Sequence, residues 1–222
     1  MFGSTLVNLG TGGSAYNGRM VNNPKISTTD KRAGTSAIAF TASSSQYVKI
    51  PAFTTSSSGL TFAFWFKFVN TLNTARIFDF GNGVSAENIL VWRYETGDLS
   101  MQIYQSALVA NEPGALRMFV NDGVWRHVVW VMDSGQNWKV YLNGVLIRSL
   151  SHVYPNPINR VLNYLGKSNW AGDPYLNGAI DEFYMFFTPL SAYEVLTLYR
   201  AGESRYAVAT VLHSPAFRPL RV

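Results

Sequence analysis

Asn-Gly and Asp-Gly turn signals separate several segments of this chain of 222 residues: Asn82-Gly83, Asp122-Gly123, Asn143-Gly144 and Asn177-Gly178. Each pair tolerates positive φ at both central positions, which a tight hairpin requires and most residues resist. Around them lie segments dense in Val, Ile, Phe, Tyr and Trp: SAIAF, QYVKI, LTFAFWFKFV, ARIFDF, NILVWRY, LSMQIYQ, LRMFV, WRHVVWVMD, WKVYL, VLIRSL and GAIDEFYMFF. This spacing predicts many short antiparallel strands, and WKVYL-NG-VLIRS, residues 138–149, is the clearest hairpin. With almost no helical periodicity, the chain reads as all-β, a sandwich or jelly roll. In residues 125–132, Trp125, His127, Val129 and Val131 share one face while Val128, Trp130 and Met132 share the other. A strand apolar on both faces is expected at the centre of a sheet that is covered on both sides.

One helix is expected after Pro189. Ser191-Ala192-Tyr193-Glu194 is a capping box, Leu190, Val195, Leu198 and Tyr199 supply an apolar face, and Gly202 is expected to end it. The domain is read over 1–202, with 1–34 a polar first segment rich in Gly, Asn, Ser and Thr. Residues 203–222 form a C-terminal extension in which Tyr206 to Leu212 is a candidate edge strand and the Pro-containing end an arm. With 47% hydrophobic and 14% charged residues the chain can fill a sizeable core. Charged residues break every apolar run short of a membrane span. The start lacks a basic and an apolar region of the kind a cleaved signal peptide carries, so none is expected. Cysteine is absent, which excludes disulfides and thiolate metal sites, and no Asn-x-Ser/Thr sequon occurs. The net charge is +5, but the basic residues are scattered singly, without the stripe a nucleic-acid groove needs, so no nucleic-acid partner is expected.

Several segments, in order, resemble the laminin G-like, concanavalin A-like lectin domains. SQYVKIP (45–51) resembles the early strand and LTFAFWFKF (60–68) the strand carrying a core Trp. DGVWRHVVWVMD (122–133) resembles the family's DG-x-W-x-H-V strand, and WKVYLNGVLI (138–147) its x-x-Y-x-D/N-G hairpin. LGKSNW followed by YLNGAIDEFYMFFTPLSAYEVLTLY resembles the closing G…F-x-G-x-I-D-E strand and its L-S-x-x-E-I-x-x-L-Y helix. The likeness covers roughly residues 35–200. It implies a two-sheet antiparallel jelly-roll sandwich with one short C-terminal helix, binding carbohydrate or protein, often with calcium at one rim and usually without catalysis.

Asp181 and Glu182 are the only adjacent carboxylates. Related glycoside hydrolases place their acids at alternate strand positions, on one face, so that general acid and nucleophile flank one bond. Here the acids are neighbours, whose side chains are expected on opposite faces, and no other acid stands two residues away. A structural role is expected, with calcium ligation at Asp181 or Asp173 implied by the resemblance. His127 reads as a hydrogen-bonded core residue. Trp65, Trp125, Trp130 and Trp138 are expected in the core. Trp170 differs: it lies in the polar loop KSNWAGDPY beside Asn169, Asp173 and Tyr175, an aromatic platform with hydrogen-bonding groups that suits a sugar. Trp92 and Arg93 form a second candidate surface. The expected function is recognition of a glycan or glycoprotein surface at a loop rim. The alternative is a structural role in a homo-oligomer or larger assembly, such as a virion coat, through the C-terminal extension. An extracellular or virion setting follows by family-level analogy.

Overall fold

The computed structural model describes residues 5–203. In chain order the strands are β1 (Thr5–Leu6), β2 (Gly18–Val21), β3 (Lys25–Ser27), β4 (Ala37–Phe40), β5 (Tyr47–Ile50) and β6 (Phe53–Thr54). Then come β7 (Gly59–Phe68), β8 (Arg76–Gly81), β9 (Ile89–Arg93), β10 (Leu99–Tyr104) and β11 (Leu108–Glu112). The later half adds β12 (Arg126–Asp133), β13 (Asn137–Leu142), β14 (Val145–Ser151), β15 (Asn159–Arg160), β16 (Leu162–Leu165) and β17 (Gly178–Phe186), before helix α1 (Ala192–Glu203). They form an eight-stranded sheet, β1-β2-β5-β16-β8-β9-β10-β11, and a seven-stranded sheet, β14-β13-β12-β7-β17-β4-β3, with β15 paired to β6 apart from both. All pairings are antiparallel. The expected two-sheet sandwich with one C-terminal helix is the fold. Its polar first segment supplies β1, β2 and β3 to the sheets, and the strand expected at 206–212 lies outside the described residues.

The inter-sheet core is aromatic. Phe62, Phe64, Phe66 and Phe68 of β7 face Phe78 and Phe80 of β8, with Phe62 and Phe78 centroids 4.7 Å apart. Phe183 of β17 stacks on Phe64 at 5.9 Å. Burying each such ring contributes on the order of 2–3 kcal/mol. Phe183 reaches the core only because β17 carries a bulge. Asp181 opposes Trp65 and Tyr184 opposes Ala63, so two residues, Glu182 and Phe183, stand against Phe64 alone. Glu182 takes a left-handed conformation, φ 46°, to make room. The inward positions therefore run Ile180, Phe183, Met185 rather than strictly alternating. This corrects the expectation that Asp181 and Glu182 point to opposite faces: the extra residue resets the phase, and Phe183 takes the inward place that Glu182 would otherwise fill.

Where the sheets' free edges meet, Glu112 of β11 pairs with Arg148 of β14, and His152 Nε2 lies 3.4 Å from its carboxylate. The hairpin at 138–149 turns through Asn143 and Gly144, both at positive φ, as a tight turn needs. By contrast LRMFV is not a strand. Asp98 accepts the amides of Leu99, Leu116 and Met118 at 2.6, 3.1 and 3.1 Å and wraps the segment into a loop.

Beyond the seven-stranded sheet a second apolar layer packs Ala63, Val129, Val131, Tyr141 and Phe186 against Leu190, Val195 and Leu198 of the helical end. The capping box forms: Ser191 N donates to Glu194 Oε2 at 2.7 Å and Glu194 N to Ser191 Oγ at 3.3 Å. Gly202 lies within the helix, which is described through Glu203, and it gives clearance, since any Cβ there would collide with the Trp65 indole. Trp65, Trp130 and Trp138 are buried as expected, but Trp65 sits under the helix. Trp125 is half-buried ahead of β12, donating through Nε1 to Asp30 at 3.0 Å.

His127 packs between Trp65 at 5.1 Å and Tyr199 at 5.9 Å, and its Nδ1 is buried without a partner among the described residues. It is therefore a packed ring rather than the hydrogen-bonded one expected. Burial holds the imidazole at about 3, below its ordinary 6.5. The folded protein thus prefers the neutral ring, so this contribution is complete above pH 6.5 and is lost as pH falls from there toward 3. Between pH 6.5 and about pH 5, wild type should lose roughly 2 kcal/mol relative to His127→Gln, read from paired urea titrations. A difference that stays constant over that range would contradict the assignment.

Candidate functional site

The eight-stranded sheet turns one face to the core and the other outward. Register places Arg19, Lys49, Tyr164, Asp79, Leu90, Gln102 and Asn111 in one transverse row on the outward face. A second row, one step along the strands, pairs Arg76 with Trp92 and Trp92 with Ser100. Both rows alternate with core residues such as Val48, Leu165, Phe78, Val91 and Met101, which is why polar and aromatic side chains emerge here together.

Arg76 is the hub. A register irregularity between Arg76 and Phe78 sets its side chain, 6% exposed, among aromatic rings. Its guanidinium carbon lies 5.7 Å from the Trp92 ring and 5.4 Å from that of Trp170. Nη2 donates to Asp173 Oδ2 at 2.8 Å, Nη1 to the Thr74 carbonyl, and Nε lies 3.8 Å from Asp79 Oδ2. Asp79 is fully buried and accepts Asn88 Nδ2 at 2.8 Å and Asn169 N and Nδ2 at 2.9 Å. Burial pushes the Asp79 carboxyl up and the Arg76 guanidinium down, while each one's charge, and for Asp79 its amide donors, pull the other way. Tyr104 of β10 meets Trp170 at 5.2 Å, and Trp92 packs edge-on against Tyr94 at 5.6 Å. Two polar atoms here, Trp92 Nε1 and Arg76 Nε, are buried without a hydrogen-bond partner among the described residues.

Trp170 and Trp92, read from the sequence as separate surfaces, thus flank one guanidinium. Asn169 and Asp173 hold the Trp170 loop in place: Asn169 Nδ2 also donates to the Leu162 carbonyl at 3.1 Å, and Asp173 Oδ2 also accepts Ser168 Oγ at 2.8 Å. Tyr175 lies further along, 6.1 Å from Tyr47. Arg93 pairs with the core residue Leu99, so it shares the inward phase of Val91 and leaves Trp92's face. The sequence reading missed Arg76, Tyr104 and Gln102. For Arg76 the signal was that it and Asp79 interrupt an otherwise apolar strand in ARIFDF.

The two aspartates raised for calcium already meet hydrogen-bond donors. Asp181, fully buried, accepts Arg32 N at 2.7 Å, Ala33 N at 2.9 Å and Glu182 N at 2.8 Å, so both oxygens face N–H donors. Asp173 shares its oxygen with a guanidinium. Among the described residues, no group of three or more His, Asp or Glu side chains is placed to hold a metal ion. Elsewhere an open cavity of about 530 Å³ is lined by Tyr16, Phe53, Ser56, Asn159 and Phe187 with no carboxylate or cation.

The profile described as concanavalin A-like lectin/glucanases superfamily, of laminin G type, matches residues 42–196. The chain belongs to that superfamily. Among solved structures, domain 4 of the extracellular GH43 arabinanase AbnA from Geobacillus stearothermophilus, in complex with arabinotriose, superposes with a TM-score of 0.66 at 18% identity. The match covers 90% of this chain and 100% of that domain. The binding domain of Paraclostridial Mosquitocidal Protein 1 gives 0.63 at 15% identity over 88% of this chain. The botulinum neurotoxin DC binding domain, in complex with SialylT, gives 0.60 at 16% over 90%. The chain spans about half the length of those two toxin domains, 51% of each. No curated protein sequence matches it.

Burial alone would place the Asp181 carboxyl high, its three amide donors pull it down, and the outcome is about 6, so desolvation wins. Asp181→Ala leaves three buried amides without an acceptor and should cost roughly 3 kcal/mol. In the same denaturation experiment, millimolar calcium should leave the wild-type midpoint unmoved. A calcium-dependent rise that Asp181→Ala or Asp173→Ala abolishes would restore the metal reading.

Proposed function

We propose that this lectin-superfamily domain is a non-catalytic carbohydrate-recognition module, and that the outward face around Trp92, Trp170, Tyr104 and Arg76 is its contact surface. The observation that carries the reading is the pair of half-buried indoles flanking Arg76, with the buried donor Trp92 Nε1 lacking a hydrogen-bond partner among the described residues and Arg76 Nε engaged only by the Asp79 carboxylate at 3.8 Å. Sugar rings present apolar C–H faces that pack on aromatic rings and hydroxyls that accept from such donors. Gln102 and Asn111 extend the polar margin, linked at 2.9 Å.

A hydrolytic role fits the face poorly. Both carboxylates on it are tied to Arg76, and Asp79 accepts three further N–H bonds, leaving neither free to move a proton or attack an anomeric carbon. Asp181 and Glu182 lie on β17, in the other sheet. Two similar folds, the arabinanase domain and the neurotoxin domain, are described in complex with arabinotriose and SialylT, which supports the reading by analogy of architecture. Affinity at one such face would be modest, and useful adhesion would rest on several copies acting together.

Glycan-array binding followed by titration of the best neutral hit, with arabinotriose among the probes, tests this. Trp170→Ala and Trp92→Ala should each weaken binding about tenfold or more, some 1.4 kcal/mol, with melting temperature little changed. Wild-type binding by both folded variants would remove the face from consideration.

A further inference from the structure

At its other end the transverse row finishes in cations. Arg19 on β2 directly opposes Lys49 on β5, Lys49 opposes Tyr164, and Tyr164 opposes Asp79. Arg19 and Lys49 are exposed. Lys167 reaches the same place from the loop after β16, its Nζ 4.1 Å from the Tyr164 ring centroid and 5.6 Å from that of Tyr47. Tyr47 in turn meets Tyr164 edge-on at 5.6 Å and lies 6.1 Å from Tyr175.

This arrangement costs stability. Like charges directly opposite one another weaken a strand pair, and partial burial disfavours the charged form of Lys167, drawing its pKa down. No ion pair satisfies Arg19, Lys49 or Lys167 among the described residues. The tryptophan end is built in the opposite way, with the charge of Arg76 answered by Asp79 and Asp173. The face is therefore aromatic with no excess cation at one end, where one guanidinium meets two carboxylates, and cationic and aromatic at the other. Three strand steps of about 4.8 Å separate β5 from β9, so the ends stand roughly 14 Å apart, more than one sugar ring spans. The loop 166–176 ties them together, sending Lys167 and Tyr175 one way and Trp170 and Asp173 the other.

Building on the carbohydrate reading above, we propose that the ligand is a linear acidic glycan: a carboxylated sugar unit sits among Arg19, Lys49, Lys167 and the three tyrosines, and the neutral units extend onto Trp92 and Trp170. A polymer with a charge on every unit, such as single-stranded nucleic acid, fits less well, because it would bring phosphates against Asp79 and Asp173.

An array printed with sialylated, uronate-containing and neutral glycans tests this, with the same uronates also printed as methyl esters and a single-stranded oligothymidylate as competitor. Carboxylated glycans should dominate the hits and lose about tenfold in affinity on esterification or desialylation. The Arg19→Gln/Lys49→Gln/Lys167→Gln variant should lose that preference while keeping its binding to neutral glycans, and its melting temperature should change little, because the removed repulsion offsets the lost contacts of Lys167 with the Tyr164 ring and the Ser168 carbonyl. Hits confined to neutral glycans, or a preference that survives in the variant, would overturn the inference and leave the carbohydrate reading standing. Displacement of the bound glycans by oligothymidylate at lower concentration than by free uronate would overturn it in favour of nucleic acid. A folded wild-type protein that binds no glycan would remove both readings.

Discussion

Asp181 ties together three distant parts of the chain. Its carboxylate gathers the amides of Arg32 and Ala33, some 150 residues earlier, and that of Glu182 on its own strand. Arg32, fixed in this way, lies over the Trp65 indole at 4.6 Å and pairs with Glu203 at the end of α1. Trp65 stacks on Tyr199 of the same helix at 5.6 Å. A buried carboxylate is unfavourable unless every lone pair it turns inward meets a donor. The bulge at Glu182 makes this possible while Phe183 stays in the core, so one strained residue serves both the ion's solvation and the packing.

Helix α1 and this anchor occupy the outward side of the seven-stranded sheet. The eight-stranded sheet keeps its outward side for aromatic and polar groups. The division has a physical source: the outward side of β7, β12 and β17 carries an apolar group, Ala63, Val129, Val131 and Phe186, that needs a cover, whereas that of β5, β8, β9, β10 and β16 carries Lys49, Arg76, Asp79, Trp92, Gln102 and Tyr164. The buried Arg76–Asp79–Asp173 group is costly to desolvate and contributes little net stability as an ion set. Its effect is positional, since it fixes the Trp170 loop on the sheet through Asn169 and Ser168. The cations at the other end, without an ion pair among the described residues, give the face its asymmetry.

Much of the architecture was legible in the chain because local chemistry and tertiary demand agree there. Asn143-Gly144 forms the turn its φ requirements predict, Ser191 and Glu194 cap the helix, and the two-faced pattern of residues 126–132 matches a strand between two apolar layers. Where the two disagree, the pattern misled. LRMFV has strand-forming residues but is bent by Asp98. Gly202 has the residue of a helix stop but serves as a clearance under Trp65. Trp125 lies among apolar neighbours in sequence but precedes the strand.

For the site, Trp170 stood out because a large aromatic residue in a polar loop is unusual, and Trp92 because it borders charge. Neither signal contains the fact that both border one guanidinium, because 78 positions separate them and the strand order β16-β8-β9 that joins them is a property of the sheet. Short-range chemistry was enough for the class of fold, the Asn143-Gly144 turn and the capped helix, since each rests on interactions spanning a few residues. Long-range pairing settled that Arg76 borders two indoles, that Arg93 turns away, that Asp181 is filled by amides, and that Arg19 faces Lys49. Each of those depends on cross-strand register and on a one-residue bulge, which shift every following side chain from one face to the other and which local pattern does not encode.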